Sequence, residues 1–195
     1  MNDALVKKID RAIQYICSFQ PTTEPYYTCY SGGKDSDAIR LLCEMAGANY
    51  ELHNNHTTVD APETVYYIRE VMSRYGQKRT IYDEKDGHRI HHYGEKGFIH
   101  FPLKTMWDLI EMRGPATRVH RHCCARLKES GGKGRVKLTG VRWAESTKRK
   151  LNSGFIRIVG KPKFVTRMLE RSGGVINMTQ MGGSYLIPMM IPLAA

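Results

Sequence analysis

Apolar residues recur along the first 82 positions in two alternating patterns. A helical period, with apolar side chains every three or four positions, predicts helices over residues 4–19, 36–46 and 61–75. Short runs rich in aromatic and β-branched residues lie between the helices and predict strands at YYTCY (26–30), NYELH (49–53) and KRTIY (78–82). Strands that alternate with helices predict an α/β fold, with an open, mostly parallel, twisted sheet and helices on both faces, as in Rossmann-like proteins.

The rest of the chain has weaker patterns. Asp60, with a proline two positions later, is the predicted N-cap of the third helix. Residues 83–104 are rich in Gly and His without a clean period and are predicted to be mostly loop. A short helix at 105–112 and a strand at 136–141 are predicted next, and beyond Arg149 the pattern decays.

The chain of 195 residues carries a formal net charge of +11. Such a surplus predicts a positive field that attracts phosphate, sulfate or nucleic acid, although a solvated basic surface has the same charge. The N-terminal segment mixes charged and apolar residues, unlike a secretory signal, and no apolar run reaches membrane-spanning length. The five cysteines, two of them adjacent, do not resemble a disulfide framework. These features predict a cytoplasmic protein with no membrane partner.

The segment SGGKDS (31–36) lies between the first predicted strand and the second predicted helix. Such a turn exposes backbone N–H groups beside the positively polarised end of a helix. Its two glycines allow close approach to an anion, its lysine adds a cation and its two serines add hydroxyl donors. An aspartate follows the lysine, so this is not a Walker-type loop. The segment predicts a phosphate or sulfate site, and an ordinary capped turn is the alternative.

Two further segments follow predicted strands, HTTVDAPET (56–64) and GVRWAESTKR (140–149). Ligands of open parallel sheets bind beyond the carboxyl ends of the strands, so these segments are expected at the same cleft. The arginines of the second segment suit phosphate or sulfate oxygens, and its glutamate holds an arginine or orients a ribose. A helix cap and a solvated charged run are the alternatives. The predicted contacts of all three segments are Ser31, Gly32, Gly33, Lys34, Asp35, Ser36, Thr57, Thr58, Arg142, Glu145, Ser146 and Arg149.

The segment 31–36 resembles the PP-loop, SGGxDS, of the adenine nucleotide α-hydrolase-like proteins. HTTVDAPET, HCCARLKES (122–130) and TGVRWAESTKR (139–149) resemble the phosphoadenosine phosphosulfate (PAPS) reductase family, in particular its members with paired cysteines. The resemblance implies binding of an adenine nucleotide, either an adenylated sulfate or ATP. It also implies three parts: an N-terminal helix and linker (1–24), a PAPS reductase-like PP-loop domain (25–150), and a divergent or truncated C-terminal segment (151–195).

Cys123 and Cys124 lie at a predicted helix start among arginines, a setting that favours the reactive thiolate. The resemblance implies either catalytic thiolates, served by a thioredoxin-like reductant, or two ligands of a [4Fe–4S] cluster. In the family a C-terminal C-x-x-C pair completes that cluster, and cluster-free members attack sulfate with a C-terminal cysteine. No cysteine follows Cys124, so neither arrangement is complete here. A mixed zinc site with His120 or His122, or a purely structural pair, is the alternative.

Three functions are consistent with these features. The first is binding of an adenylated sulfate, with thiol-dependent reduction to sulfite in a complete enzyme. The second is a PP-loop sulfurtransferase that adenylates tRNA or DNA with ATP, which the net charge of +11 and the basic stretch 113–171 favour. The third is a non-catalytic, basic nucleic-acid-binding protein, which the missing C-terminal cysteines favour.

Overall fold

The computed structural model describes residues 3–117, 119–129, 131–132, 135–140, 157–159 and 184–189. Four α-helices and one π-helical turn are defined in these ranges: α1 (Asp3–Ser18), α2 (Lys34–Met45), α3 (Pro62–Ser73), α4 (Met106–Arg113) and the turn Cys124–Lys128. The strands are β1 (Tyr26–Cys29), β2 (Tyr50–Asn55), β3 (Lys78–Tyr82), β4 (Arg89–Tyr93), β5 (Gly97–His100), β6 (Val136–Gly140), β7 (Arg157–Val159) and β8 (Ser184–Met189).

The chain divides into two compact units. The first comprises Met1–Cys29, Lys34–Tyr50 and Gly132–Ala195. In it β6 pairs in parallel with both β1 and β8, and β7 pairs antiparallel with β8. Helix α1 is joined to β1 by a hydrogen bond in which the Tyr26 hydroxyl donates to the Ile16 carbonyl at 2.8 Å. The described core of this unit consists of buried apolar side chains, including Ile16, Tyr26, Ile39, Leu42, Cys43, Val136 and Leu138.

The second unit comprises Tyr30–Gly33 and Glu51–Gly131. In it β2 pairs in parallel with β5, and β4 pairs antiparallel with both β5 and β3. The apolar face of α3 supplies much of the core, because its spacing of three and four residues buries one stripe of the helix. The buried side chains of this unit include Leu52, Ile68, Val71, Met72, Ile99, Phe101, Leu109 and Leu127.

The predicted α/β class is confirmed, with helices and parallel strand pairs in both units. The prediction that residues 83–104 are mostly loop missed β4 and β5, which lie within this range. The prediction treated the histidines of this segment as polar residues. In the structure the rings of His92 and Phe98 stack with 4.4 Å between their centroids, as neighbouring side chains of paired strands do. Strand β3 was predicted correctly, although it is an exposed antiparallel strand rather than a parallel one. Strand β8 was not predicted.

The predicted N-cap is also wrong, because Ala61 occupies that position of α3. The Asp60 carboxylate instead accepts a hydrogen bond from the Thr57 amide at 2.9 Å, so it closes the turn that precedes the helix. Pro62 at the first helical position fits the helix start, since that position has no backbone hydrogen bond to lose.

None of the helices in the described residues has the length and apolar character needed to cross a membrane.

Candidate functional site

The SGGKDS segment forms the turn between β1, which ends at Cys29, and α2, which begins at Lys34. Two hydrogen bonds hold the start of this turn against β2. The amide of the buried Tyr30 donates to the His53 carbonyl at 2.9 Å, and the Asn54 side-chain amide donates to the Tyr30 carbonyl at 2.9 Å. The amide and the carbonyl of Tyr30 are therefore both hydrogen-bonded, which fixes the backbone where it enters the turn.

Gly32 is the tightest point of the turn. Its φ of +73° lies in the left-handed region, and a Cβ there would lie 2.7 Å from Cγ1 of Ile68 on α3. Gly33 differs, since a Cβ at that position would meet only the Ser31 hydroxyl at 3.5 Å. Sequence analysis attributed both glycines to close approach of an anion. The structure adds a packing reason for Gly32, because the turn is pressed onto α3.

The polar side chains of the turn are divided between surface and interior. Ser31 and Lys34 are exposed, as is Gly33, whereas Ser36 is buried. Lys34 therefore presents its ammonium group at the first turn of α2, where the positive end of the helix dipole lies. A cation at this position is one of the features predicted for an anion site.

The C-terminal end of β6 lies against the first turn of α2. A Cβ on Gly140 would lie 2.9 Å from the Asp35 carbonyl oxygen, so only a glycine allows this approach. The next residues of the chain hold the other predicted anion contacts, which lie outside the described residues: Arg142, Glu145, Ser146 and Arg149. Their predicted roles stay predictions, although the strand that leads into them ends beside the predicted loop.

Thr57 and Thr58, predicted to line the cleft, hold the segment after β2 in a strained turn. Thr58 has a φ of +69°, which is rare for a β-branched residue. Its amide donates to Nδ1 of His56 at 3.0 Å, and its hydroxyl accepts from the Met106 amide at 2.9 Å. Thr57 is buried. The hydroxyl of Thr58 thus has a structural task at the start of α4, and contact with a nucleotide stays a prediction.

His56 titrates below its ordinary range. Burial lowers its pKa, the Asp60 carboxylate acts in the opposite direction, and Arg69 and Arg89 lower it further. The acceptor role of Nδ1 toward the Thr58 amide agrees with a neutral ring. The ring also stacks on Phe101 with 5.0 Å between centroids.

Cys123 and Cys124 are half-buried free thiols at the start of the π-helical turn. The guanidinium of Arg121 donates to Sγ of Cys124 at 3.4 Å, and this hydrogen bond raises the pKa of Arg121. An arginine of this basic segment thus contacts the Cys124 sulfur directly. All five cysteines are free thiols.

The described residues do not fit the [4Fe–4S] cluster that the resemblance implied, because that cluster needs four thiolates. Burial raises the pKa of Cys29 to about 11 and that of Cys43 to about 12, so both are protonated thiols at neutral pH. In the described part of the chain, no group of three potential metal ligands includes Cys123 or Cys124. The mixed Cys/His zinc site is therefore not formed there either.

Sequence analysis assigned no role to His53, His88 and His100, which contact one another in the structure. They come together because β5 pairs with both β2 and β4, and these pairings were not predicted. The signal in the sequence is the density of rings in HRIHHY (88–93) and FIHF (98–101), which indicates strands once histidine is treated as a ring.

No protein-family model matches the chain, and no curated protein matches it with a significant score.

Proposed function

We propose that this chain is a PP-loop protein of the PAPS reductase type, of the adenine nucleotide α-hydrolase-like superfamily, which binds an adenylated sulfate or a related adenine nucleotide. The observation that carries the proposal is the turn at 31–36, which follows β1. Ser31 and Gly33 precede α2, Lys34 begins it, and all three residues are exposed. These consecutive residues supply backbone amides, a hydroxyl and a cation before and at a helix start, and such groups bind phosphate or sulfate.

The end of β6 supports the same proposal. Gly140 brings this strand against the first turn of α2, and the chain then continues into Arg142 and Arg149. In the proposed complex these arginines, together with Glu145 and Ser146, contribute contacts to the nucleotide and its anionic group. The net charge of +11 raises the local concentration of anionic ligands.

The proposed chemistry in a complete enzyme is thiol-dependent. A cysteine thiolate attacks the sulfate sulfur, the bond from sulfur to the phosphate oxygen breaks, and the nucleotide leaves with that oxygen. A thiol reductant of the thioredoxin type then attacks the cysteine sulfur and releases sulfite, which leaves a mixed disulfide that a second thiol resolves. Cys124, whose sulfur accepts a hydrogen bond from the Arg121 guanidinium, is the candidate nucleophile. Cys123 is its neighbour and the alternative.

Calorimetric titration with adenylated sulfates and with ATP tests the binding step. A charge-assisted hydrogen bond contributes about 1.5–3 kcal/mol, so Lys34→Ala should weaken binding by about tenfold or more. Lys96→Ala is the matched control, because Lys96 is an exposed lysine in the turn between β4 and β5. Equal affinity of the wild type and Lys34→Ala would overturn the loop assignment.

A PP-loop sulfurtransferase is the second candidate, favoured by the net charge of +11. It uses ATP to adenylate tRNA or DNA before sulfur is inserted, and paired cysteines can carry persulfide sulfur. Pyrophosphate released from ATP only when nucleic acid is added would support this candidate, whereas sulfite released from an adenylated sulfate would support the first. Salt-dependent DNA binding that nucleotide does not change would instead indicate a non-catalytic nucleic-acid-binding protein.

A further inference from the structure

One face of the β3–β4 pair carries positively charged side chains. In an antiparallel pair, residues opposite each other lie on the same face, and every second residue of a strand returns to that face. The register places Lys78 opposite Tyr93 and Tyr82 opposite Arg89. The face that these pairs share is named here the basic face, and its members are Lys78, Thr80, Tyr82, Arg89, His91 and Tyr93.

A third cation, Arg69 of α3, lies beside the basic face. Burial lowers the pKa of the His91 ring, and the charges of Lys78 and Arg89 lower it further. Arg69 acts on His91 in the same direction. Burial raises the pKa of Tyr93, and the charge of Arg69 opposes that effect. The three cations are therefore close enough to one ring to act on it together, and the electrostatic potential at the basic face is positive.

The ring of the buried Phe101 holds two members of the basic face in position. The Arg89 guanidinium lies 4.2 Å from the centroid of the Phe101 ring, and the centroid of the His91 ring lies 4.5 Å from it. Within the described residues, the Arg89 side chain has no hydrogen bond or ion pair. The cation–π contact thus orders the guanidinium while its N–H groups remain for a ligand, so less conformational entropy is lost on binding.

The described residues provide no carboxylate partner for the three cations. None of the ion pairs among those residues includes Arg69, Lys78 or Arg89. Glu70, the neighbour of Arg69 in sequence, is instead paired with Arg74 at 3.0 Å. Like charges that are held together without a counter-charge destabilise the folded chain, so an anionic ligand would offset a repulsion that the fold maintains.

Tyr82 indicates which kind of anion suits the basic face. It is 66% exposed and lies opposite Arg89. Proteins that bind single-stranded nucleic acid combine cations, which contact the phosphates, with exposed rings on which the bases stack. The bases of a duplex are already stacked on one another and leave no face for such a ring.

We propose that the basic face, together with Arg69, binds single-stranded nucleic acid, with phosphates on the three cations and a base stacked on Tyr82. The formal net charge of +11 favours the same polyanion. All of these residues lie in the second unit. The proposal gives the nucleic-acid-binding candidates above a contact surface, and it does not depend on the proposed nucleotide site at 31–36.

Fluorescence anisotropy of a labelled oligothymidylate of about 12 nucleotides, titrated with the full chain at several salt concentrations, tests the proposal. For a single strand, each phosphate contact contributes about 0.7 to the fall of log K with log salt concentration. Arg69→Gln, Lys78→Gln and Arg89→Gln should each reduce that slope by about 0.7 and weaken binding about fivefold at about 0.1 M salt. Tyr82→Ala should weaken binding by about 5–150-fold without changing the slope, because it removes the ring on which a base stacks.

Arg79→Gln is the matched control. Arg79 is the exposed neighbour of Lys78 on β3, but it lies on the opposite face of the strand. The change removes one positive charge from the same strand, so it separates direct contact from the effect of net charge, and the slope should stay that of the wild type. Lys34→Ala should likewise bind the oligothymidylate as the wild type does, so failure of the loop assignment and failure of this proposal are distinguishable.

A wild-type slope in all three variants of the cations, or an equal reduction of the slope in Arg79→Gln, would overturn the proposal. Equal affinity for a duplex of the same length, or wild-type affinity in Tyr82→Ala, would also overturn it. Circular dichroism checks folding. Arg69→Gln and Lys78→Gln decide the question if loss of the contact between Arg89 and Phe101 unfolds the chain.

Discussion

Replacement of Gly32 by alanine should destabilise the protein far more than the same change at Gly33. Gly32 has a φ of +73°, and the left-handed region costs an L-residue about 1–2 kcal/mol. The new Cβ would also lie 2.7 Å from Ile68 Cγ1 and 3.1 Å from Cδ1, and this overpacking costs about 1–3 kcal/mol. The expected loss is therefore about 2–5 kcal/mol, a large fraction of the usual 5–15 kcal/mol.

Gly33→Ala serves as the control within the same turn. Its φ is not in the left-handed region, and the nearest atom to a new Cβ would be the Ser31 hydroxyl at 3.5 Å. Alanine there should change stability little, or raise it by about 0.4–1 kcal/mol by restricting the unfolded chain. Urea unfolding of both variants, followed by circular dichroism, gives the two free energies directly.

A double-mutant cycle with Ile68→Ala isolates the steric part. Ile68→Ala removes both atoms that the new Cβ would approach, and by itself it costs about 2–5 kcal/mol through the cavity it leaves. In the double variant with Gly32→Ala, the loss of unfolding free energy should be about 1–3 kcal/mol smaller than the sum of the two single losses. The cost of the left-handed φ at residue 32 should remain. Strictly additive losses, or equal stability of the Gly32 and Gly33 variants, would refute the argument that the turn is pressed onto α3.

Three further predictions concern other regions. Iodoacetamide at pH 8 should modify exposed Cys17 well before Cys43, whose pKa burial raises to about 12, as peptide mass spectrometry can show. Thr105→Ala should lower the unfolding free energy by about 1 kcal/mol in urea, because it removes the capping box of α4. Acidification from pH 7 to 5 should also lower the unfolding free energy. Burial holds the pKa of His56 below its value in the unfolded chain, so the unfolded chain takes up a proton that the folded protein does not.

Each of these has a control. In urea-unfolded protein, Cys17 and Cys43 should react with iodoacetamide at similar rates. Equally fast labelling of the two thiols in the folded state would contradict the buried position of Cys43. Thr105→Ser retains a capping hydroxyl and should keep most of the stability, so equal losses in both variants would contradict the cap. His56→Phe keeps a ring against Phe101 and should flatten the dependence on pH. An unchanged slope would show that His56 is not responsible.

The local elements were readable from the sequence because each depends on neighbours in the chain. Helices α1, α2 and α3 follow from the spacing of apolar residues, and β1 and β6 follow from short buried runs. The turn at 31–36 was also predicted, since a strand, two glycines and a helix start are consecutive. Asp60 shows the limit of such reasoning. It has the residue type of an N-cap, but its carboxylate is satisfied by the Thr57 amide, and the helix begins one residue later.

Strand β4 was missed because its histidines were treated as polar residues, and β5 was missed in part because it pairs with β2, a partner distant in sequence. Ile99 lies opposite Asn54 in the parallel pair of β5 with β2, and no local pattern encodes that register. This pairing brings His100 to His53, and the pairing of β5 with β4 brings His100 to His88. Three histidines that looked like loop residues therefore form one polar chain between two carboxylates.

By itself, the sequence determined the kind of local structure and the chemical character of the turn at 31–36, because both depend on residues a few positions apart. Only the tertiary structure decided that Gly32 packs against Ile68, that Gly140 meets Asp35, and that His53, His100 and His88 contact one another. Such contacts depend on strand register and helix packing. These arise from burial summed over many distant residues, and no short segment contains that information.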